Sequence, residues 1–287
     1  MEVSGRKEIL KKYTGGLKNS GLSLGFVPTM GALHQGHLDL VLRARQECDR
    51  VLVSIFVNPL QFNNQEDLDR YPRQPEKDIL LLKEAGVDFL YAPEPEDFYT
   101  ETARISLDFG PAGSALEGAM RPGHFSGVGV VLSRLFHLVQ PDRAYFGAKD
   151  LQQVAVVKTL VRDLEFPVEV VRCPTRREES GLAMSSRNQR LSAEGKSIAS
   201  AIYKALCLAA EAGTHNPAES REMAMKVLSS SPEIKLEYLE WVCADTMEFL
   251  SEMKELPEET ALCLAAWVEG VRLIDNIILD RNGKMVN

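Results

Sequence analysis

The chain has few cysteines. The five present, Cys48, Cys173, Cys207, Cys243 and Cys263, are odd in number and scattered, with no C-x-x-C. Such a set fits reduced thiols in a cytoplasmic protein better than a disulfide frame or a zinc cluster. Positive charge is also short: the formal net charge is −8. That argues against a nucleic-acid partner, whose phosphates need a surplus of Lys and Arg on one face, so any phosphate recognition here has to be local. Long apolar runs are missing. The longest, Val51 to Val57 and Ala261 to Val268, fall far short of the roughly 20 residues that cross a bilayer, so no membrane partner is expected. Met1 to Lys18 is polar, without the apolar core of a signal peptide, and the expected location is cytoplasmic. No internal repeat or low-complexity tract stands out. What remains is an ordinary globular composition, 45% hydrophobic and 26% charged over 287 residues, long enough for one large or two unequal domains.

The most informative stretch opens the first βαβ unit. Strand formers from Leu22 to Val27 stop at Pro28, a loop bearing Gly31 follows, and His34 and His37 stand at the mouth of a helix whose apolar face runs through Leu38, Val41 and Leu42 to Cys48. Val51 to Val57 then reads as a parallel strand covered on both faces. Unpaired N–H groups and the positive end of a helix dipole favour an anion at such a helix mouth, and imidazoles add donors. Two other readings stay open, a structural pair and half of a metal site. For zinc a third ligand would be required, and neither H-E-x-x-H nor a Cys pair is present.

Lys7 to Tyr13 reads as a short opening helix ending before Gly15-Gly16. Asn58 to Asn64 leaves the carboxyl end of the second strand; its amides suit hydroxyl and carboxylate recognition and equally suit a turn. Glu66 to Arg73 is charged and has the look of a mobile segment, Pro75 to Ala85 reads as a helix, Val87 to Tyr91 as a strand, and Arg104 to Phe109 alternates like another. Gly110, Gly113 and Gly118 lead to Arg121-Pro122-Gly123-His124-Phe125 and the helix Val128 to Val139, a second anion site or a plain helix start. After the strand Arg143 to Phe146, Gly147-Ala148-Lys149-Asp150 opens the helix Leu151 to Val161. Lys149 and Asp150 there suit phosphate and ribose, or a solvated first turn. Val168 to Arg172 closes the sheet. Arg176 to Asn188, charged and hydroxyl-rich, suits a hinge or lid. Helices from Ser192 to Ala210 and Asn216 to Leu228 follow, then strands at Ile234 to Tyr238, Thr260 to Val268 and Val271 to Leu279. The pattern predicts an α/β fold: a Rossmann-like, doubly wound parallel sheet over residues 1–174 and a smaller C-terminal α+β domain over 175–287.

Seven blocks in this order resemble the pantoate–β-alanine ligase (pantothenate synthetase) family of the nucleotidyltransferase superfamily: Pro28 to Leu38 with its H-Q-G-H, Phe56 to Phe62, Asp69 to Arg73, Arg121 to Phe125, Phe146 to Gln153, Gly181 to Asn188, and Arg272-Leu273-Ile274-Asp275-Asn276. They span most of the chain. The resemblance implies ATP-dependent ligation in two steps. Pantoate attacks the α-phosphate to give pantoyl adenylate and pyrophosphate, and β-alanine then displaces AMP. It implies that His34 and His37 stabilise the transferring phosphate, with Lys149, Ser185, Ser186 and Arg187 along the β- and γ-phosphates. Gly147 and Asp150 would hold the ribose, backbone near Met184 the adenine, and Met30, Gln61 and Gln153 the pantoate. Asn58, Tyr71, Arg121 and His124 match motif positions in supporting roles. Mg2+ would arrive on ATP, with no protein metal cage, and a homodimer is implied. Gly123, where many relatives carry Thr, and Arg176-Arg177, where an aliphatic residue more often precedes Arg, depart from the pattern. The second departure bears on adenine packing and lid mobility.

Overall fold

The computed structural model describes residues 1–101, 103–213, 216–253 and 255–286. The chain divides into two compact units, residues 1–147 with 156–173, and residues 148–155 with 174–287. A single cut after 174 does not reproduce this division, because Ala148–Ala155, the turn and first residues of a helix, count with the second unit.

The first unit holds β1 (Glu2–Ser4), α1 (Lys7–Asn19), β2 (Leu24–Thr29), α2 (Gln35–Glu47), β3 (Arg50–Ile55), α3 (Gln65–Asp69), α4 (Pro75–Glu84), β4 (Phe89–Tyr91), the short α5 (Pro95–Phe98), α6 (Pro111–Ser114) and α7 (Glu117–Met120), then α8 (His124–Val139), β5 (Arg143–Gly147), the later part of α9 (Leu151–Asp163) and β6 (Glu169–Cys173). The strands form one parallel sheet in the order β1-β4-β3-β2-β5-β6. Phe26, Val27, Val51, Leu52 and Val53 are fully buried, as an unalternating parallel strand needs when helices cover both faces. This is the expected doubly wound α/β sheet. From β2 the chain steps out to β3 and β4, then returns to β5 on the other side of β2. The order therefore reverses between β2 and β5, the place where open α/β sheets take ligands at their carboxyl ends. β2 pairs with β3 as far as Thr29 but with β5 only at Gly25 and Phe26, so the two strands part beyond Phe26. Pro28, with no N–H to give a ladder, lies in the parted stretch.

Four expectations change here. Arg104 to Phe109 is not a strand; Leu107 N–H is taken by Ser126 Oγ at 3.0 Å, and Phe109 is buried against the space left by Gly129 of α8. Glu66 to Arg73 contains α3, started by Asn64, whose side chain accepts Glu66 N–H. The opening helix runs on through Gly15-Gly16 to Asn19, because the buried anchors Leu10 and Thr14 hold it against a glycine cost of about 1 kcal/mol each. β1 was not anticipated: three residues with no apolar pattern become an edge strand only because β4 offers a ladder.

The second unit contains α10 (Ala193–Ala212), α11 (Pro217–Leu228), β7 (Lys235–Cys243), β8 (Glu259–Val268) and β9 (Val271–Asp280), the strands forming an antiparallel sheet in the order β7-β8-β9. Ser192 caps α10 by accepting Gly195 N–H at 2.9 Å. The helix buries Ala199, Ile202, Ala205, Leu206 and Ala209, a stripe at helical spacing, in one core with Leu262, Leu264, Leu273 and Ile277. β7 runs five residues beyond the expected Tyr238, paired without interruption from Tyr238 to Cys243 with Ala265 to Thr260 of β8.

Candidate active site

At the carboxyl end of β2 the chain turns through Gly31 (φ 82°) and Ala32 (φ 51°). A non-glycine residue in left-handed backbone needs outside support, and Asp78 of α4 supplies it: its carboxylate accepts Ala32 N–H and Leu33 N–H at 2.8 Å each. Asp78 is 1% exposed. Burial pushes its carboxyl above the ordinary value, while the two N–H bonds pull the other way. A Cβ on Gly31 would lie 3.1 Å from the same carboxylate, so the loop closes on it tightly. Asp78 was not singled out in the sequence, since an acid in the first turn of a helix is what the dipole alone favours.

His34 is the N-cap of α2, and its Nδ1 accepts Gly36 N–H at 3.2 Å; His37 Nδ1 in turn accepts His34 N–H at 3.3 Å. The rings lie 4.1 Å apart, centre to centre. Both Nδ1 atoms therefore act as acceptors, and in each neutral ring the proton sits on Nε2. The first turn of α2 carries no acidic side chain. The pair is thus a set of two imidazole Nε2–H donors at the positive end of a helix.

Beyond β3, Asn58 caps the short 3-10 turn Pro59–Gln61. Its Oδ1 accepts Tyr99 O–H at 2.9 Å and Leu60 N–H at 3.3 Å, and its Nδ2 donates to Gly127 O at 3.1 Å and Gln61 Oε1 at 3.0 Å. With its oxygen engaged, Gln61 is oriented to present Nε2, which lies 3.1 Å from Met30 Sδ. Burial pushes the Tyr99 phenol well above its ordinary value, which keeps it a donor to Asn58. His124, buried, sets Nδ1 2.7 Å from Gln61 O and Nε2 3.3 Å from Arg121 Nη1. A carbonyl only accepts and a guanidinium only donates, so His124 carries its proton on Nδ1. α8 reaches this turn only because Gly127 has no side chain: a Cβ there would fall 2.3 Å from Leu60 O. Tyr71 packs edge-on against Phe62, 5.8 Å between centres. Met30, His34, His37, Asn58, Gln61, Tyr71, Arg121, His124 and Gly147 all belong to the first unit. Gly147 ends β5 with no atom within 4 Å of where a Cβ would stand.

Lys149, Asp150, Gln153, Met184, Ser185, Ser186 and Arg187 belong to the second unit. Lys149 and Asp150 form a 3-10 turn, Nζ lying 3.5 Å from Asp150 Oδ1, and Gln153 stands half-buried in the first turn of α9. Residues 176–188 fold back on themselves. Glu178 N–H donates to Leu182 O and Met184 N–H to Arg176 O, and Gly181, at φ 89°, makes the reversal, where a Cβ would meet the Tyr203 ring at 2.7 Å. Ser185 Oγ accepts Arg187 N–H at 3.3 Å, capping the 3-10 turn Ser186–Arg190, and Ser186 is buried. Of the two neighbouring arginines, Arg177 is the half-buried one, bound to Asp275.

Residues 2–278 match the model of the pantoate–β-alanine ligase family. The chain belongs to that family. A pantothenate synthetase of Cytophaga hutchinsonii is 50% identical over 265 residues, 91% of this chain and 93% of the relative. One of Moorella thermoacetica is 44% identical over 98% of this chain and 100% of its own length. The crystal structure of pantothenate synthetase from Thermus thermophilus superposes with a TM-score of 0.87 at 46% identity, covering 96% of this chain and 98% of that one. A pantoate–β-alanine ligase from Francisella tularensis, solved with β,γ-ATP and β-alanine, matches with a TM-score of 0.80 at 35% identity over 96% of this chain and 97% of its own. As a pantoate–β-alanine ligase the chain forms pantothenate by joining those two substrates.

Proposed function

We propose that this ligase works through an acyl adenylate made from ATP. A pantoate carboxylate oxygen bonds to the α-phosphorus as the bond to pyrophosphate breaks. The amine of β-alanine then attacks the acyl carbon, AMP leaves with its oxygen, and the amine gives up a proton. Such a phosphoryl transfer needs charge dispersed over the phosphate more than a protein nucleophile. The observation that carries the reading is the fixed pair of His34 and His37, both held as Nε2–H donors at the mouth of α2, where the helix dipole also favours an anion.

The remaining roles follow from what each group can offer. Gln61, turned to donate, suits the oxygens of pantoate beside Met30, with Gln153 as a second amide. Lys149, Ser185, Ser186 and Arg187 supply charge and hydroxyls to the outer phosphates. Gly147, open on its Cα side, lets a ribose approach backbone, Asp150 accepts from its hydroxyls, and Met184 backbone serves adenine. Asn58 and Tyr99 orient Gln61, and His124 holds Arg121. Mg2+ would neutralise phosphate charge. Among the described residues no group of three His, Cys, Asp or Glu side chains is placed to hold a metal.

The test is isotope exchange. With pantoate, ATP, Mg2+ and radiolabelled pyrophosphate but no β-alanine, label is expected to enter ATP. Label entry that needs β-alanine, or no entry while pantothenate still forms, would overturn the adenylate.

A further inference from the structure

The block Arg272 to Asn276 has no chemical duty in the reading above, yet it carries a dense buried network. Asn276 of β9 donates from Nδ2 to both Ala148 O, at 2.9 Å, and Lys149 O, at 3.0 Å. Its own placement is fixed from two sides. Its backbone N–H donates to Asp275 Oδ1 at 2.8 Å, and its carbonyl accepts Arg177 Nη2 at 3.2 Å. Arg177 also grips Asp275 with both ends of its fork, Nη1 to Oδ2 at 2.6 Å and Nη2 to Oδ1 at 3.0 Å. The same Nη1 donates to Gly181 O at 3.2 Å, and the guanidinium lies 3.7 Å over the Tyr203 ring centre. The Asp275 side chain is 3% exposed. A planar fork paired bidentately and stacked has little rotational freedom.

We propose that Arg177, Asp275 and Asn276 are positioning residues for the ligation. Asn276 sets the backbone of the Ala148-Lys149 turn, and so the origin of the Lys149 ammonium. Arg177 ties that turn to the Gly181 reversal, which leads into Ser185 and Ser186. The amide suits the geometry: Nδ2 carries two N–H donors, one for each carbonyl. Lys149 is a long, flexible cation, and its reach to a phosphate is set by where its Cα stands. A displacement of about 1 Å in a catalytic group can lower rates about 10²-fold. The inference rests on the reading that Lys149 grips ATP.

The experiment is a double-mutant cycle of Asn276→Ala and Lys149→Ala on the full chain, followed by pantoate-dependent exchange and by steady-state pantothenate formation. Asn276→Ala is expected to lower kcat/KM for ATP by about 10- to 10²-fold, chiefly as a raised KM for ATP, with KM for β-alanine unchanged. In the Lys149→Ala background it is expected to cost less than about threefold, since coupled residues are not additive. Wild-type ATP kinetics in Asn276→Ala, or a loss that multiplies in full on top of Lys149→Ala, would overturn the inference. Full activity of Lys149→Ala by itself would instead remove the phosphate role of Lys149, a separate outcome. Arg177→Lys keeps the charge but loses the fork, and it serves if Asn276→Ala does not fold. A raised KM for ATP that Lys149→Ala abolishes supports the tie, and unchanged kinetics refutes it.

Discussion

Asp78→Asn is the sharpest probe of how the His34 loop is held. The wild-type carboxylate accepts two backbone N–H groups, Ala32 and Leu33, each at 2.8 Å, from a site closed to water. Asparagine keeps one oxygen but turns an NH2 toward the other N–H, leaving that donor buried without an acceptor. Such a group costs about 1–3 kcal/mol, and the lost bond to a charged acceptor is of similar size. Burying a carboxylate is itself unfavourable, which is why the Asp78 carboxyl is pushed upward, and its removal returns part of that. A net loss of about 2 kcal/mol is expected, read as a fall of roughly 4–8 °C in the unfolding midpoint for a unit of this size. The pH dependence has a sign. A carboxyl raised in the folded state contributes stability that is fully present below its unfolded value of about 4 and lost as pH rises through the folded one. The gap between wild type and Asp78→Asn should therefore be widest in acid and narrow toward neutrality. Turnover should fall as well, because Leu33 leads directly into His34. Stability within about 0.5 kcal/mol of wild type, with unchanged turnover, would refute the clamp.

Three further outcomes follow from the same geometry. His34→Ala and His37→Ala should each lower turnover by about 10²-fold with ATP saturating, in steady-state assays on variants whose melting shows them folded; full turnover in either would remove that ring from the chemistry. Gly147→Ala adds a methyl where nothing stands within 4 Å, so melting should be unchanged while KM for ATP rises, and an unaltered KM would mean that no ligand approaches that backbone. Gly127→Ala drives a Cβ to 2.3 Å from Leu60 O and should cost about 1–3 kcal/mol with a raised KM for pantoate through Gln61, measured by denaturant unfolding and kinetics.

Much of the fold could be read from the residues. The unbroken apolar run after Arg50 reads as a strand covered on both faces, and a helix was legible behind the histidines, but its face was not: the buried residues are Leu40, Val41 and Ala44, while Leu42 stands exposed. The histidine spacing marked a helix mouth because a side chain at the N-cap and one three residues on face the same orphan amides. Arg104 to Phe109 misled because alternation is compatible with a half-buried strand but does not make one, and the Ser126 hydroxyl took the Leu107 N–H that a ladder would have needed.

Local pattern determined most of the elements, the burial of the central strands and where an anion could sit, since propensity, capping and dipoles act within a few residues. Only tertiary structure decided how the loops are held. Asp78 lies 45 positions from Leu33, Tyr99 is 41 from Asn58, and Asn276 is 127 from Lys149. Each pair meets through one or two hydrogen bonds whose strength depends on burial, and burial is a property of the packed chain that no short stretch of it contains.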